Sequence, residues 1–176
     1  MISTAQIVNQ LDTGGVRSRA GKFLIFFLAG EEYGLEILKV REIMGMLPIT
    51  QIPRTPLYIR GVINLRGKVI PVFDLRLKFG LNSKAQTEET CIIVVQVEGL
   101  DLGMIVDRVS EVLDIAERDI DDTPSFGAGI QTDYILGIGK AQGRIRLLLD
   151  INHILSTGEI GRLDSAVLQA GDENRF

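Results

Sequence analysis

The sequence contains no tryptophan, one histidine and one cysteine among its 176 residues, and aromatic residues make up only 6% of the chain. The single cysteine, Cys91, excludes a disulfide framework and a cysteine-rich metal site. Its place at the start of the apolar run CIIVVQV is typical of a buried thiol in a reducing cytosol. His153 alone cannot form a site that needs several histidines, so histidine-based chemistry has this one candidate.

Long hydrophobic runs are also missing. No apolar run approaches the roughly 18 residues that a membrane-spanning helix needs, and residues 1–21 lack the apolar segment of a secretory signal peptide. We therefore predict a soluble cytoplasmic protein. The net charge of −4 argues mildly against nucleic acid as the main partner.

The motifs of several enzyme classes are absent from the chain. G-x-S-x-G, C-x-x-C, H-E-x-x-H and the P-loop do not occur, and the glycines of GIGKAQG lie within a hairpin rather than between a strand and a helix. The sequence consequently predicts no catalytic residue, no cofactor and no metal site.

Short apolar runs, broken by glycine, proline and acidic residues, fill the chain between a flexible N-terminal tail, 1–21, and a partly helical C-terminal tail, 156–176. This spacing is typical of an all-β sandwich or barrel. Two short helical turns are expected directly after strands, each beginning at an aspartate suited to an N-cap, Asp74 and Asp150. The predicted strands are 23–28, 33–40, 59–65, 68–75, 91–97, 100–106, 134–139 and 144–149.

The chain contains an internal repeat. A shift of 76 residues places 59–75 on 135–151 without a gap. A second shift, of 69 residues, aligns identical residues: Gly30, Gly34, Val40 and Glu42 with Gly99, Gly103, Val109 and Glu111. Because both blocks recur in the same order, they predict two copies of one β-unit, at about 22–84 and 88–155. Each copy is too small to be stable alone, so we expect the two to pack together with a groove at their interface.

The repeat separates residues that the fold requires from candidates for function. In the hairpin GVINLRGKVIPVFDL the turn residue Gly67 recurs as Gly143, which indicates a structural role. Arg66 aligns with Gln142, so the turn forms without an arginine. Arg66 is therefore either a functional residue or a solvated surface arginine. Glu42 recurs in the second copy, which favours a structural role but does not exclude a functional one.

Charge also distinguishes the copies. Residues 22–84 carry ten basic and five acidic residues, whereas 85–155 carry five basic and thirteen acidic ones. Similar shapes with opposite charge favour a molecule that bridges two different partners, because complementary potentials select partners.

Four segments that follow one another across about 23–155 carry a specific likeness: FLIFFLAGEEYGLEILKVREI, ITQIPRTPLYIRGVINLRGKVIPVFDLRLKFGL, IIVVQVEGLDLGMIVDRVSEVL and YILGIGKAQGRIRLLLDINHIL. They resemble the CheW family of chemotaxis coupling proteins. The resemblance implies two SH3-like five-stranded β-barrels packed together, without catalytic activity or cofactor. It also implies partners: the cytoplasmic tips of chemoreceptors and the regulatory domain of the CheA histidine kinase. Such a protein would be a monomer alone and would assemble in receptor arrays at the inner face of the membrane, without inserting into it.

The resemblance assigns roles residue by residue. It implies receptor or kinase binding at Arg66, Glu42, Val40 and Gly61, although Gly61 also recurs in the second copy and can be purely structural. Phe126 matches a loop aromatic at a second contact with the kinase. From its position alone, Phe126 is either tucked beneath its loop or an anchor for a partner. An acidic pair, Asp121 and Asp122, precedes it where the family can have a basic residue.

Two alternative functions stay open from the sequence. The first is a coupling module of a non-flagellar chemosensory pathway, such as twitching or surface sensing, which neighbouring genes would distinguish. The second, with less support, is an enzyme of unrecognised type, which turnover by the purified protein would reveal.

Overall fold

The computed structural model describes residues 18–127, 129 and 131–173, which form eleven strands in two sheets and three α-helices. The helices are α1 (Leu75–Lys78), α2 (Ile151–Ile154) and α3 (Thr157–Glu173). The strands are β1 (Gly21–Leu28), β2 (Glu31–Glu36), β3 (Val40–Gly45), β4 (Ile59–Leu65), β5 (Lys68–Asp74), β6 (Cys91–Val97), β7 (Leu100–Val106), β8 (Arg108–Ile115), β9 (Ile120–Asp121), β10 (Ile135–Ala141) and β11 (Arg144–Leu149).

The all-β class and the eight predicted strands are confirmed, with changes at some ends. The predicted strand 33–40 ends at Glu36, where a 3-10 turn, Ile37–Lys39, leads into β3. The sequence did not predict β3, β8 or β9. The first two lie at sheet edges, where most residues are exposed or half-buried, so their sequences lack a continuous apolar run.

The two sheets do not follow the two sequence copies. The five-stranded sheet has the order β3-β6-β7-β5-β4, and the six-stranded sheet has the order β8-β1-β2-β11-β10-β9. The hairpin β1–β2 of the first copy thus lies in one sheet with β10–β11 of the second, and β6–β7 lies with β4–β5. Neither 22–84 nor 88–155 therefore corresponds to one sheet, because the copies exchange their first hairpins.

Equivalent residues of the copies form equivalent pairs across the exchanged strands. Val72 of β5 lies opposite Gly103 of β7 in a parallel pairing, and Leu148 of β11 lies opposite Gly34 of β2 in another. The two sequence shifts relate these residues to one another. The repeat in the sequence is therefore a repeat in the structure.

Alternate residues of the central strands face two different cores. In β6, Ile92 and Val94 face the interior of the five-stranded sheet, whereas Ile93 and Val95 belong to the core between the sheets. A strand buried on both faces carries an uninterrupted apolar sequence. Two-sided burial thus explains the run CIIVVQV, and a shared core packs the two sheets on each other.

Each sheet closes on itself. Thr50, which follows the edge strand β3, exchanges two backbone hydrogen bonds of 2.9 Å with Val62 of the opposite edge strand β4. In the six-stranded sheet, β9 follows the edge strand β8 and pairs with β10. Closure removes exposed strand edges. Two small β-barrels are thus present, one of them with β9 as a sixth strand where five were expected.

The predicted N-caps are confirmed. Asp74 Oδ1 accepts a hydrogen bond of 2.9 Å from the Arg76 amide at the start of α1. Asp150 Oδ1 accepts one of 3.1 Å from the Asn152 amide at the start of α2. The same cap in both copies supports its structural role.

The described parts of the segments predicted as tails, 18–21 and 156–173, contribute to the folded body. Residues 1–17 lie outside the described residues, and β1 begins at Gly21. Arg19, just before β1, donates to Asp122 Oδ1 at 2.7 Å. In α3, Ile160 and Leu163 are buried in the core between the sheets, so the C-terminal segment is more than a tail at its start.

Candidate functional site

The β4–β5 turn presents the side chain of Arg66 to solvent. Arg66 and Gly67 both have positive φ, at 52° and 88°, the pattern of a two-residue type I′ hairpin turn. The amide of Gly67 donates to Asn64 Oδ1 at 2.8 Å, which fixes the turn. Gln142 has a φ of 57° in the second copy, so the backbone conformation requires no arginine.

A bulge in β3 turns Glu42 towards Arg66. In the pairing of β3 with β6, Val40 lies opposite Val95 and Glu42 lies opposite Val94, which leaves Arg41 as an extra residue. Val95 faces the core between the sheets, whereas Val94 faces the interior of the five-stranded sheet. Because a bulge re-aims the residues beyond it, Val40 and Glu42 face opposite sides of the strand.

Glu42 and Arg66 form an ion pair with two hydrogen bonds. Arg66 Nη1 donates to Glu42 Oε1 at 3.1 Å, and Nη2 donates to Oε2 at 2.5 Å. The hydrogen bond from Arg66 lowers the pKa of Glu42 and raises the pKa of Arg66, so both groups are charged at neutral pH. The exposed fraction is 71% for the Arg66 side chain and 33% for that of Glu42. The guanidinium is therefore the outer member of the pair.

The other three predicted residues have different surroundings. Val40 is half-buried and packs against the core between the sheets. Gly61 is buried with a φ of 138°, and a Cβ there would lie 2.0 Å from the Thr50 carbonyl oxygen. Phe126 is 59% exposed in the loop that follows β9 of the six-stranded sheet. Of the predicted residues, the structure thus brings together Glu42 and Arg66.

A groove runs along the other side of β3, between the two sheets. Its lining includes Ile43 and Gly45 of β3, Cys91 of β6, and Arg108 and Val109 of β8. Ile43 is 43% exposed, although it is a large apolar residue. We call this surface the inter-sheet groove. It corresponds to the groove that the repeat predicted at the interface of the copies.

Sequence reasoning missed Ile43. A signal was present: the shift of 69 residues aligns Ile43 with Val112 of β8, and Val112 is 47% exposed. An apolar residue at the same exposed place in both copies argues against chance, because single-copy apolar residues on a surface are common.

The chemistry of this region is that of recognition. Arg66 offers donors in a planar fork, Glu42 offers acceptors, and Ile43 offers apolar area on the other side of β3. Within 18–127, 129 and 131–173, no group of three or more His, Cys, Asp or Glu residues is arranged to hold a metal ion. No helix in the described part of the chain has the length and apolarity to cross a membrane.

Two packed β-barrels with an exposed ion pair beside an apolar groove define an interaction module. The family model described as CheW-like domain matches residues 22–159. The chain therefore belongs to the CheW-like family, as the sequence resemblance predicted.

Similar proteins and a similar solved structure agree with this. The chain is 41% identical over 144 residues to Chemotaxis protein CheW of Klebsiella aerogenes, which covers 82% of this chain and 87% of that protein. It is 35% identical over 143 residues to Chemotaxis protein CheW of Rhizobium meliloti, covering 81% of this chain and 92% of the relative. The crystal structure of the scaffolding protein TtCheW from Thermoanaerobacter tengcongensis matches with a TM-score of 0.72 at 37% identity, over 80% of this chain and 95% of that chain.

Proposed function

We propose that the protein is a non-catalytic cytoplasmic scaffold that couples chemoreceptors to a CheA-type histidine kinase in chemotaxis. Support comes from relatives named chemotaxis proteins and from a similar structure named a scaffolding protein. The observation that carries the proposal is the exposed Glu42–Arg66 ion pair. The fold does not need Arg66, because Gln142 forms the equivalent turn with the same backbone conformation.

The proposed receptor contact uses both sides of β3. Ile43 in the inter-sheet groove would contact apolar residues of the receptor's helical tip, while Arg66 and Glu42 would contact polar ones. Amphipathic helices dock into apolar grooves in this way. Val40 would support the contact indirectly, because it anchors the start of β3 in the core. Gly61 would support it by admitting the Thr50 carbonyl, which closes the barrel.

The proposed second kinase contact uses the loop around Phe126, which belongs to the other sheet. The aromatic ring is exposed and could anchor a partner. The acidic pair that precedes Phe126 already has basic partners within the chain. Asp121 lies 2.9 Å from Lys140, and Asp122 lies 2.7 Å from Arg19. Their charge is therefore partly neutralised. The acidic pair thus opposes a kinase contact at this loop less than its sequence alone suggests.

The mechanism we propose is a shift between kinase states. The scaffold holds receptor and kinase at separate surfaces and favours the kinase state for which the assembly has the higher affinity. It needs no bond-making step and no cofactor. We propose that the protein is a monomer alone and joins membrane-associated receptor arrays through its partners.

The experiment is a titration of the purified full chain with a receptor tip fragment and with the kinase regulatory domain, both from the same genome. We expect both to bind, and we expect a ternary complex because the surfaces are separate. Absence of binding to either partner would contradict the proposed function. Displacement of one partner by the other would contradict the two-surface arrangement.

A further inference from the structure

Three more charged residues adjoin the Glu42–Arg66 ion pair. Lys68 Nζ, at the start of β5, donates to Asp101 Oδ2 of β7 at 2.8 Å. Arg41 Nε lies 3.6 Å from Asp101 Oδ1. Arg41 is the extra residue of the β3 bulge. One acid of β7 thus holds two basic side chains from strands on either side of it.

The basic side chains are more exposed to solvent than the acidic ones. The exposed fractions are 53% for Arg41, 63% for Lys68 and 71% for Arg66. The values for Asp101 and Glu42 are 14% and 33%. A partner that approaches this end of the barrel therefore meets three cations first. We call Arg41, Lys68 and Arg66 the cationic face.

The second copy shows which of these charges the fold requires. Lys68 and Asp101 align with Arg144 and Glu32, whose side chains also pair, at 3.1 Å. That pair is common to both barrels and is structural. Arg66, in contrast, aligns with Gln142.

Arg41 follows the same pattern, because the shift of 69 residues aligns it with Ser110. The five-stranded barrel therefore has two cations at places where the six-stranded barrel has none. The needs of the shared fold explain neither of them.

We propose that the cationic face binds a carboxylate-bearing helical segment of the receptor tip, with Asp101 as a positioning residue that holds Arg41 and Lys68. This inference rests on the proposed function and names the chemistry of the partner at that same site. Arg66 gives two of its five N–H donors to Glu42, so donors remain for a further carboxylate, and the lysine adds a point charge. The face borders β3, and the opposite side of that strand lines the inter-sheet groove.

Spaced carboxylates fit this face better than a phosphate backbone does. Glu42 and Asp101 lie between the three cations, and the whole chain has a net charge of −4. Nucleic acid binding depends on continuous positive charge along the backbone. A helix with separate carboxylates can instead align each one with a cation.

The test measures binding of the receptor tip fragment to full-length variants at low and high salt. Arg41→Ser takes its residue from the second copy, and Arg144→Gln removes an exposed cation from the other barrel as a control. We expect Arg41→Ser and Lys68→Gln each to weaken binding about two- to fivefold at low salt, the range for one exposed ion pair. Both should also reduce the salt dependence of binding, whereas Arg144→Gln should change neither.

The variant Asp101→Asn distinguishes a positioning role of Asp101 from an effect of its negative charge alone. Loss of a negative charge next to the cationic face would strengthen binding of an acidic segment if only net charge mattered. If Asp101 positions Arg41 and Lys68, the variant binds more weakly, and its melting temperature shows whether it is folded. Arg41→Gln replaces Arg41→Ser if the latter fails to fold.

The outcomes distinguish the two proposals. Normal binding by both Arg41→Ser and Lys68→Gln at both salt concentrations would overturn the cationic face and leave the scaffold function intact. Tighter binding by Asp101→Asn would overturn the positioning role. Failure of the unmodified chain to bind the receptor fragment would overturn the proposed receptor contact, and the cationic face with it.

Discussion

Arg146 occupies in the six-stranded barrel the place that Ile70 occupies in the five-stranded one, and it is completely buried there. Its Nε lies 3.2 Å from Glu32 Oε2, and its Nη1 donates to the Ala141 carbonyl at 2.7 Å. Glu32 is itself 8% exposed. One copy thus has an apolar residue at this core position, and the other has a buried ion pair.

The buried pair predicts an asymmetric response to substitution. Glu32→Ala should lower the free energy of unfolding by about 3–5 kcal/mol, because it leaves the Arg146 charge buried with fewer partners. Glu32→Leu combined with Arg146→Ile should cost far less, since apolar replacement of a buried pair is often nearly neutral. Urea denaturation of both variants measures this. Equal losses in the two variants would show that the pair itself is the main source of stability.

The prediction for Arg66 uses the residue of the second copy. Arg66→Gln should leave the melting temperature nearly unchanged, because Gln142 adopts the same backbone conformation, and an exposed ion pair contributes little. Binding of the receptor fragment or the kinase domain should weaken. The matched control is Arg144→Gln, the same chemical change at an exposed residue beside the equivalent turn of the other barrel, and it should leave binding unchanged. A variant that unfolds would make Arg66 a structural residue.

A substitution at Gly61 should lower the stability of the fold, because Gly61 has no direct contact with a partner in our proposal. Gly61→Ala places a Cβ 2.0 Å from the Thr50 carbonyl oxygen at a φ of 138°, so the closing bridge must break or shift. We expect a loss of roughly 3 kcal/mol or more in the free energy of unfolding. Gly45→Ala in β3 is the control, because a Cβ there meets no atom within 4 Å. Normal stability of Gly61→Ala together with lost partner binding would instead place Gly61 in the binding surface.

Local chemistry accounts for what the sequence predicted well. The hairpin turn at Gly67 and the N-caps at Asp74 and Asp150 depend on residues within a few positions of each other, so a single sequence displays them. Two-sided burial likewise produced apolar runs such as CIIVVQV. Edge strands gave no such signal, because most residues of β3 and β8 are exposed or half-buried.

Long-range arrangement accounts for what the sequence did not predict. The repeat identifies equivalent residues, but it does not tell whether the first hairpin of a copy pairs with its own last hairpin or with that of the other copy. Both arrangements satisfy the repeat. Glu42 and Arg66 were separate candidates, 24 residues apart. Closure of the five-stranded sheet brings them together, because β3 and β4 are its two edges.

The start of α3 predicts an acid-dependent stability. Ser156 and Glu159 form a capping box, with backbone-to-side-chain hydrogen bonds of 3.0 and 3.1 Å. Glu159 also accepts hydrogen bonds from Lys78 Nζ at 2.7 Å and from the Tyr58 hydroxyl. Burial opposes ionisation of Glu159, but these hydrogen bonds lower its pKa to about 2.

A carboxyl with a lowered folded-state pKa stabilises the fold above its unfolded pKa, and this stability is lost as pH falls through the folded pKa. Glu159 should therefore contribute fully above about pH 4.5 and progressively less towards pH 2. Glu159→Gln keeps a capping-box acceptor but removes the charge. We expect it to unfold at lower urea at neutral pH and to match the unmodified protein near pH 2. An equal difference at both pH values would exclude the charge as the cause.

The register of β11 predicts opposite outcomes for two aspartate substitutions in one strand. Leu148 is completely buried in the six-stranded barrel, whereas Ile145 is 67% exposed. Leu148→Asp should unfold the protein, because an unpaired carboxylate would be buried against Gly34 and the core. Ile145→Asp carries the same chemical change at an exposed place and should remain folded. Circular dichroism and melting curves compare the two variants, and a folded Leu148→Asp would show that β11 has the opposite face towards the core.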